Sequence, residues 1–307
     1  MKARIYKSTG SWYMAKAETG KMYNARIKGV FKIGGLTSTN PIAVGDEVDM
    51  QIEDVLEESA MIDTICDRKN YVARVSPHNK HQHHIIAANL DQSLLFATLK
   101  DPKTSQGFID RFLISCEAYH IPAIIVFNKS DLYKQKELDH FAHLQKIYSN
   151  IGYQVMLCSV EKNKGVEEIA ALLEGKTTLL SGHSGVGKST FINAVFPSLE
   201  LRTQEVSGWS GKGMHTTTFA EMFDLPTSGA IIDTPGIREL GLVDISKQEL
   251  AHYFPEMRAQ MGNCHFNNCM HIEEPGCAVK QALEQGEIAA DRYVSYLNIL
   301  TTMDAAH

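Results

Sequence analysis

The sequence lacks the hydrophobic runs that mark a membrane or secreted protein. Its 307 residues contain no stretch approaching the roughly 18–20 consecutive apolar residues that a spanning helix requires. The segment MKARIYKSTG shows no apolar secretory region, and internal repeats and low-complexity linkers are missing as well. With 44 % hydrophobic and 21 % charged residues, the composition is that of a globular protein with two or three domains. We therefore expect a cytoplasmic protein with no membrane partner.

A strong excess of positive charge is also missing. The formal net charge of −6 argues against a protein that is held to nucleic acid through its overall charge. Residues 1–40 depart from this average, because they contain eight Lys and Arg residues and a single Glu. Such a local excess predicts a modest phosphate-binding face, and the alternative is a solvated basic surface without a partner.

Cysteine is scarce, and half of the six cysteines lie close together near the end of the chain. They form the pattern Cys264-x₄-Cys269-x-His271-x₅-Cys277. Three thiolates and one imidazole are a closed tetrahedral set, suited to one structural zinc ion and without an open position for catalysis. Buried thiols with no metal are the alternative interpretation.

Turn residues divide the first part of the chain into short strands. Residues 3–66 contain about five aromatic and β-branched segments, with Glu18-Thr19-Gly20 and Asn40-Pro41 as turns between them. This pattern suits an OB-fold β-barrel, whose open face commonly binds oligonucleotides. An SH3-like barrel would give much the same pattern.

The rest of the chain has two further patterns. From about residue 70 to 240, apolar strands alternate with amphipathic helices, which predicts an α/β domain with a largely parallel sheet. Beyond about residue 241 the sequence is typical of helices around the Cys/His cluster.

A glycine-rich stretch between a predicted strand and a predicted helix matches the pattern G-x-x-x-x-G-K-[ST] in full. Its glycines let backbone N–H groups turn inward onto phosphates at a helix N-terminus. Lys188 is expected to reach the β- and γ-phosphates, and the Ser189 hydroxyl to coordinate Mg²⁺. The predicted phosphate-binding residues are Gly182, His183, Ser184, Gly185, Val186, Gly187, Lys188, Ser189 and Thr190.

A second loop is expected to supply the metal side of the same site. Asp233-Thr-Pro-Gly236 ends the apolar strand GAIID, which predicts that Asp233 holds Mg²⁺ through water and that the Gly236 N–H senses the γ-phosphate. The stretch GKGMHTTT lies before Asp233, where a switch loop belongs. Of its threonines Thr216, Thr217 and Thr218, one should close onto Mg²⁺, and we select Thr217.

The sequence does not identify the group that activates the hydrolytic water. Ile237 follows Gly236, at the position where Ras-like proteins place a water-orienting glutamine. An apolar side chain does not polarise water, so slow intrinsic hydrolysis is expected. His215 is a candidate base, and a loop histidine without a catalytic role is an equal alternative.

A base-reading motif, Asn128-Lys129-Ser130-Asp131, follows the apolar strand AIIVF. The Asp131 carboxylate can accept hydrogen bonds from guanine N1–H and N2–H₂, which adenine does not offer. Asn128 is expected to contact the base and brace the phosphate loop, and the Lys129 stem to cover one ring face. Ser159 should add a contact near guanine O6. These residues favour GTP over ATP.

The order of these motifs is unusual, because the base reader precedes the phosphate loop. NKSD, then GHSGVGKS, then DTPG, with a β-barrel before them and the Cys/His cluster after them, resembles the circularly permuted ribosome small-subunit-dependent GTPases. The stretches IAANLDQ and HIEEPGCAV also look like those of that family.

This resemblance implies a multidomain fold. Its parts would be an N-terminal OB-fold domain over 1–69, a central circularly permuted α/β P-loop GTPase domain over 70–240 and a C-terminal, mainly helical zinc domain over 241–307. It implies GTP hydrolysis stimulated by the small (30S) ribosomal subunit, contact with the 16S rRNA and a role in late maturation of that subunit. The expected ligands are GTP or GDP with Mg²⁺ and one structural zinc ion per chain, and we expect a monomer.

Two functional interpretations follow. The first is a GTP hydrolase that binds rRNA and uses hydrolysis for release. The alternative is a nucleotide-gated rRNA-binding module, in which GTP occupancy rather than turnover is the signal. An unrelated ATP-using P-loop enzyme is disfavoured by Asp131.

Overall fold

The computed structural model describes residues 1–10, 12–27, 41–75, 83–199, 220–234, 242 and 245–304. The strands in this part of the chain are β1 (Lys2–Ser8), β2 (Tyr13–Ala17), β3 (Met22–Ile27), β4 (Glu47–Asp54), β5 (Ser59–Ile65), β6 (Tyr71–Val75), β7 (His83–Ala88), β8 (Gln92–Ala97), β9 (Ala123–Phe127), β10 (Gln154–Leu157), β11 (Thr177–Ser181), β12 (Glu221–Asp224) and β13 (Ala230–Asp233). The α-helices are α1 (Gln106–Ala118), α2 (Gln135–Asn150), α3 (Val166–Ala171), α4 (Lys188–Val195), α5 (Pro255–Met261), α6 (Ala278–Glu284) and α7 (Ala290–Asp304).

Strands β1 to β5 close into a barrel. The strand β1 pairs with both β2 and β4, β3 pairs with β2 and β5, and β4 pairs with β5. This order, with β3 parallel to β5, is that of an OB fold and not of an SH3-like barrel. Alternate residues point inward, among them Ile5, Tyr13 and Val48, and form a separate hydrophobic core. The predicted OB-type barrel is confirmed.

The central sheet has the order β10-β9-β8-β11-β13-β12, in which the first five strands are parallel and β12 is antiparallel. All six residues of β8 are buried. Helices cover both faces, α1 and α2 on one side and α3 and α4 on the other, which is why the parallel strands read as continuous apolar runs. The predicted α/β architecture is confirmed.

The barrel and the central sheet are joined edge to edge. The strands β1 and β12 pair antiparallel at Lys7 and Glu221, whose side chains form an ion pair of 2.8 Å between Nζ and Oε2. The Tyr6 hydroxyl and the Lys16 ammonium both donate to the Asp224 carboxylate. The two domains therefore share one continuous 11-stranded sheet in the described part of the chain.

The C-terminal helices dock on α1 of the central domain. Ile114 of α1 packs into a core with Leu250, Phe254 and Tyr296. Beside it lies the Arg292 guanidinium, only 1 % exposed, which donates to Asp110 (2.5 Å) and to Glu256 (2.7 Å). We name Asp110, Arg292 and Glu256 the buried triad. Because Asp110 lies on α1, the triad ties the C-terminal region to the central domain.

Candidate nucleotide site and metal centre

The predicted nucleotide-binding residues meet at one edge of the central sheet. Asn128 follows β9, Ser159 follows β10, Gly182 follows β11, and Asp233 ends β13. These four strands run parallel, so their carboxyl ends lie together, and in open α/β sheets ligands bind at that edge. Motifs separated by up to about a hundred residues in sequence are thereby brought to one site.

The glycine-rich loop has a conformation that depends on its glycines. Gly182, Gly185 and Gly187 have φ angles of 132°, 82° and 98°, a region that residues with a side chain rarely adopt. A Cβ atom on Gly187 would also run into the side-chain amide of Asn128. Gly187 precedes α4, so the free N–H groups of the first turn of α4 are available to a phosphate.

A hydrogen bond joins the base-reading loop to the phosphate loop. Asn128 is buried, and its Nδ2 donates to the carbonyl oxygen of Val186 at 2.9 Å. Its Oδ1 accepts from the backbone N–H of Val160 at 3.3 Å, in the loop that carries Ser159. One amide side chain therefore fixes three loops relative to one another.

The cation and the carboxylate of the site are both partly buried. Lys188 Nζ donates to the carbonyl oxygens of Gly182 (2.7 Å) and His183 (3.1 Å). Burial lowers the pKa of Lys188, and the nearby Asp233 opposes that shift. Burial raises the pKa of Asp233, with Lys188 acting against it. A bound phosphate and a divalent cation would each place an opposite charge beside one of these desolvated groups.

The base-reading loop holds its carboxylate in place. The Ser159 hydroxyl donates to Asp131 Oδ1, and the Ser130 N–H donates to the Cys158 carbonyl oxygen at 3.0 Å. Lys129 has a left-handed backbone with φ 62°, and its Nζ donates to the Asp101 carbonyl oxygen at 2.6 Å. The Asp131 carboxylate is thus oriented by a neighbouring strand end, which suits directional recognition of a base edge.

The structure adds site residues that the sequence patterns did not single out. The Tyr133 hydroxyl donates to the Asn128 carbonyl oxygen (2.7 Å) and accepts from the Leu99 N–H (2.9 Å). Burial raises the pKa of Tyr133 to about 12, so its hydroxyl stays a donor at neutral pH. Phe108 stacks on His183 of the phosphate loop, with ring centroids 3.9 Å apart. An aromatic residue two positions after Asp131 was the only sequence signal for Tyr133.

Several predicted residues cannot be placed. Thr216, Thr217 and Thr218, His215 and Gly236 lie outside the described residues. The expected switch loop and the candidate base therefore remain predictions from the sequence.

The four predicted metal ligands form one cluster. The donor atoms of Cys264, Cys269, His271 and Cys277 all lie within 4.8 Å of one another. The His271 Nδ1 lies 3.4 Å from the Cys277 sulfur and 3.7 Å from the Cys264 sulfur. A tetrahedral zinc ion with ordinary Zn–N and Zn–S bonds separates such donors by about 3.5 Å. The donor set and its spacing fit one zinc ion.

Neighbouring side chains hold the cluster in shape. The Tyr293 hydroxyl donates to the His271 carbonyl oxygen (2.6 Å), and the Tyr296 hydroxyl donates to that of Met270 (2.8 Å). Glu274 accepts from the N–H groups of Met270 (2.7 Å) and Ile272 (2.8 Å). His271 itself has a left-handed backbone with φ 58°. These contacts fix the direction in which His271 presents its ring.

Many basic residues of the N-terminal stretch are paired with carboxylates. Arg4 pairs with Glu47, Lys21 with Glu58 and Arg26 with Glu53, and Lys7 and Lys16 pair with β12 as described above. Within residues 1–10 and 12–27, five positive charges are therefore balanced by carboxylates from other parts of the chain. The phosphate-binding face expected from residues 1–40 stays a prediction.

The fold and the site together define a class of protein. A parallel sheet with a phosphate loop after β11, a base reader after β9 and a carboxylate at the end of β13 is a P-loop GTPase domain in permuted order. No helix of the described residues is long and apolar enough to cross a membrane.

Comparisons with known proteins agree with this class. The family model described as RsgA GTPase matches residues 65–243, and that of the RsgA N-terminal domain matches residues 2–60. The chain therefore belongs to the RsgA GTPase family, whose members are GTP hydrolases. The predicted resemblance is confirmed.

Relatives named "Small ribosomal subunit biogenesis GTPase RsgA" cover nearly the whole chain. The protein of Cytophaga hutchinsonii is 55 % identical over 304 residues and covers 99 % of each chain. A Bacteroides fragilis protein is 49 % identical over 300 residues, 98 % of this chain and 96 % of that one.

Solved structures show the same fold. YjeQ from Thermotoga maritima has a TM-score of 0.79 and 33 % identity, with 98 % of this chain and 97 % of that one covered. YloQ, described as a circularly permuted GTPase, has a TM-score of 0.74 and 31 % identity, with 100 % and 96 % covered.

Proposed function

We propose that this GTP hydrolase acts in late maturation of the small (30S) ribosomal subunit, binds its 16S rRNA and uses GTP hydrolysis for release. Two findings support the proposal. Relatives about half identical over almost the full length are named for small-subunit biogenesis, and one chain carries the nucleotide site, an OB-type barrel and the Cys/His cluster. The observation that carries the guanine-nucleotide part of the proposal is the hydrogen bond from Asn128 to Val186, because it joins the proposed guanine reader to the proposed phosphate loop.

The roles of the site residues belong to the same proposal. Asp131 reads the guanine edge, Asn128 and Lys129 frame the base, and Ser130 and Ser159 hold that loop. The backbone from Gly182 to Thr190 surrounds the phosphates. The Lys188 ammonium donates to the loop carbonyl oxygens, and we propose that it contacts the β- and γ-phosphates when the nucleotide binds. Thr217, Gly236 and His215 keep the roles that the sequence assigns to them.

Mg²⁺, when bound with the nucleotide, would neutralise charge between the β- and γ-phosphates. We propose Ser189, Asp233 and Thr217 as the residues that hold it. Asp233 ends a buried strand beside Lys188, so its carboxylate is preorganised for a cation. A structural zinc ion would be held by the cluster of Cys264, Cys269, His271 and Cys277.

We propose the domain limits 1–69, 70–240 and 241–307, a monomer and a cytoplasmic site of action. The boundary near residue 69 is supported by the closure of the barrel at Ile65 and by the start of the hairpin β6–β7 at Tyr71.

Multiple-turnover GTP hydrolysis, measured with and without purified small subunits, tests the proposal. We expect slow hydrolysis alone and faster turnover with subunits. Binding of the protein to subunits should be about 5- to 150-fold tighter with a non-hydrolysable GTP analogue than with GDP, corresponding to a coupling of about 1–3 kcal/mol. If the GTP analogue strengthens subunit binding but subunits do not accelerate GTP turnover, the protein is instead a nucleotide-gated binding module. No binding to subunits in any nucleotide state would contradict the proposal.

A further inference from the structure

The turn between β4 and β5 exposes a group of apolar side chains at one end of the barrel. Leu56 is 95 % exposed, Val55 is 64 % exposed, and Ile52 at the end of β4 is 40 % exposed. We name residues 52–58 the hairpin tip. Single exposed apolar residues are ordinary on protein surfaces, but three within five positions on one projecting turn make a patch that calls for an explanation.

The hairpin tip is held in one shape by its own backbone contacts. Asp54 Oδ1 accepts from the N–H groups of Leu56 (2.7 Å) and Glu57 (3.1 Å). Glu58 has a left-handed backbone with φ 51°, and its carbonyl oxygen accepts from the Asn24 N–H at 2.8 Å. The apolar side chains are therefore presented by a preorganised turn, which reduces the entropy lost when a partner covers them.

Carboxylates surround this patch. Four of the residues from 51 to 58 are acidic and none is basic. Glu53 and Glu58 pair with Arg26 and Lys21 of the adjacent β-strand and turn. Asp54 and Glu57 keep a net negative charge on the hairpin tip, and such a surface repels the phosphates of RNA and of an anionic membrane.

We propose that the hairpin tip is a protein-docking element, which inserts Val55 and Leu56 into an apolar pocket with a basic rim. The partner is a protein component of the small subunit, and this part rests on the proposed function. Apolar anchors surrounded by complementary charge are the arrangement expected of an interface core and its rim. The barrel then has two different surfaces: RNA contacts lie away from the acidic hairpin tip, and this end of the barrel contacts protein.

The double variant V55S/L56S tests the proposal in the full-length protein. Both side chains are exposed, so the melting temperature and the basal GTPase rate should stay unchanged. Binding to purified small subunits should weaken about tenfold or more, because burying a leucine side chain is worth at least that factor. Binding to protein-free 16S rRNA should not change. Val294→Ser on α7 is the matched control, with a side chain that is 53 % exposed.

Two further measurements separate a protein partner from RNA. Glu57→Lys should weaken subunit binding if the rim of the pocket is basic, whereas it should strengthen binding if the hairpin tip faces phosphates. A photoreactive residue at position 56 should crosslink to a protein of the subunit. A crosslink to rRNA, or a loss of binding as large in V294S as in V55S/L56S, would overturn the proposal. Unchanged binding of V55S/L56S would do so as well, while failure of the parent protein to bind subunits would instead contradict the proposed function.

Discussion

The central sheet and the C-terminal region are stabilised in different ways. The sheet has a layered core, in which the fully buried strand β8 lies between helices on both faces. The C-terminal region has two helices of only seven residues each, α5 and α6, and one long helix, α7. Its small core is completed by a Cys/His cluster and by the buried triad with α1. We therefore expect the small C-terminal region to depend on docking and on a metal held by its cluster, whereas the sheet depends on burial of apolar surface.

Loss of the metal should give the largest difference between the two regions: the C-terminal region should unfold while the central sheet stays folded. Cys269→Ser removes one thiolate ligand, and binding of a structural zinc ion contributes on the order of 10 kcal/mol to folding. We expect residues beyond 245 to become sensitive to proteolysis and the zinc content to fall from one per chain to none. The central sheet should keep its nucleotide affinity. Cys66→Ser is the control, and a metal-free protein with a protease-resistant C-terminal region would contradict the assignment.

Breaking the buried triad should undock the C-terminal region without touching the metal ligands. Arg292→Met leaves Asp110 and Glu256 buried without their cation, a change that costs about 3–5 kcal/mol. Chemical denaturation should show this loss. Arg258→Ala is a matched control at the same interface, because Arg258 pairs with Glu117 at 3.0 Å but is half exposed, so about 0–1 kcal/mol is expected. If both substitutions lower the free energy of unfolding by the same amount, the buried triad contributes no more stability than an exposed ion pair.

At the nucleotide site, Asp131→Asn should change which nucleotide base is preferred and leave the fold intact. The amide replaces one acceptor with a donor, so GTP should bind about 2 kcal/mol or more weaker because of unmatched polar groups. Xanthine nucleotides, which carry a carbonyl in place of the exocyclic amine, should bind better. Isothermal titration with both nucleotides is the measurement, with Asp139→Asn on α2 as the control. Undiminished GTP affinity in the variant would exclude Asp131 as the guanine reader.

Tyr133→Phe should give the smallest effect. The hydroxyl joins the Asn128 carbonyl oxygen to the Leu99 N–H, so its removal leaves both groups without a partner in the protein. We expect a loss of about 1–2 kcal/mol in stability and a similar weakening of guanine nucleotide binding. Thermal unfolding with and without GDP measures both. If the stability falls and the affinity for guanine nucleotide does not change, Tyr133 has only a structural role.

The local patterns of the sequence predicted most of the domain organisation. The glycines at 182, 185 and 187, the tetrapeptide from Asn128 to Asp131 and the spacing of three cysteines and a histidine each specify local chemistry. The strand and helix periods are likewise local, so the α/β domain and the barrel could be predicted. The parts that could not be predicted depend on residues far apart in the chain.

By itself, the sequence determined the motifs, their permuted order and the class of each domain, because turn conformation, strand alternation and ligand spacing are properties of neighbouring residues. Only the tertiary structure decided the rest. It paired the basic residues of the barrel with distant carboxylates, joined β1 to β12, docked the C-terminal region through Asp110 and Arg292, and left Leu56 uncovered. These outcomes depend on which surfaces meet and exclude water, and no local pattern encodes that choice.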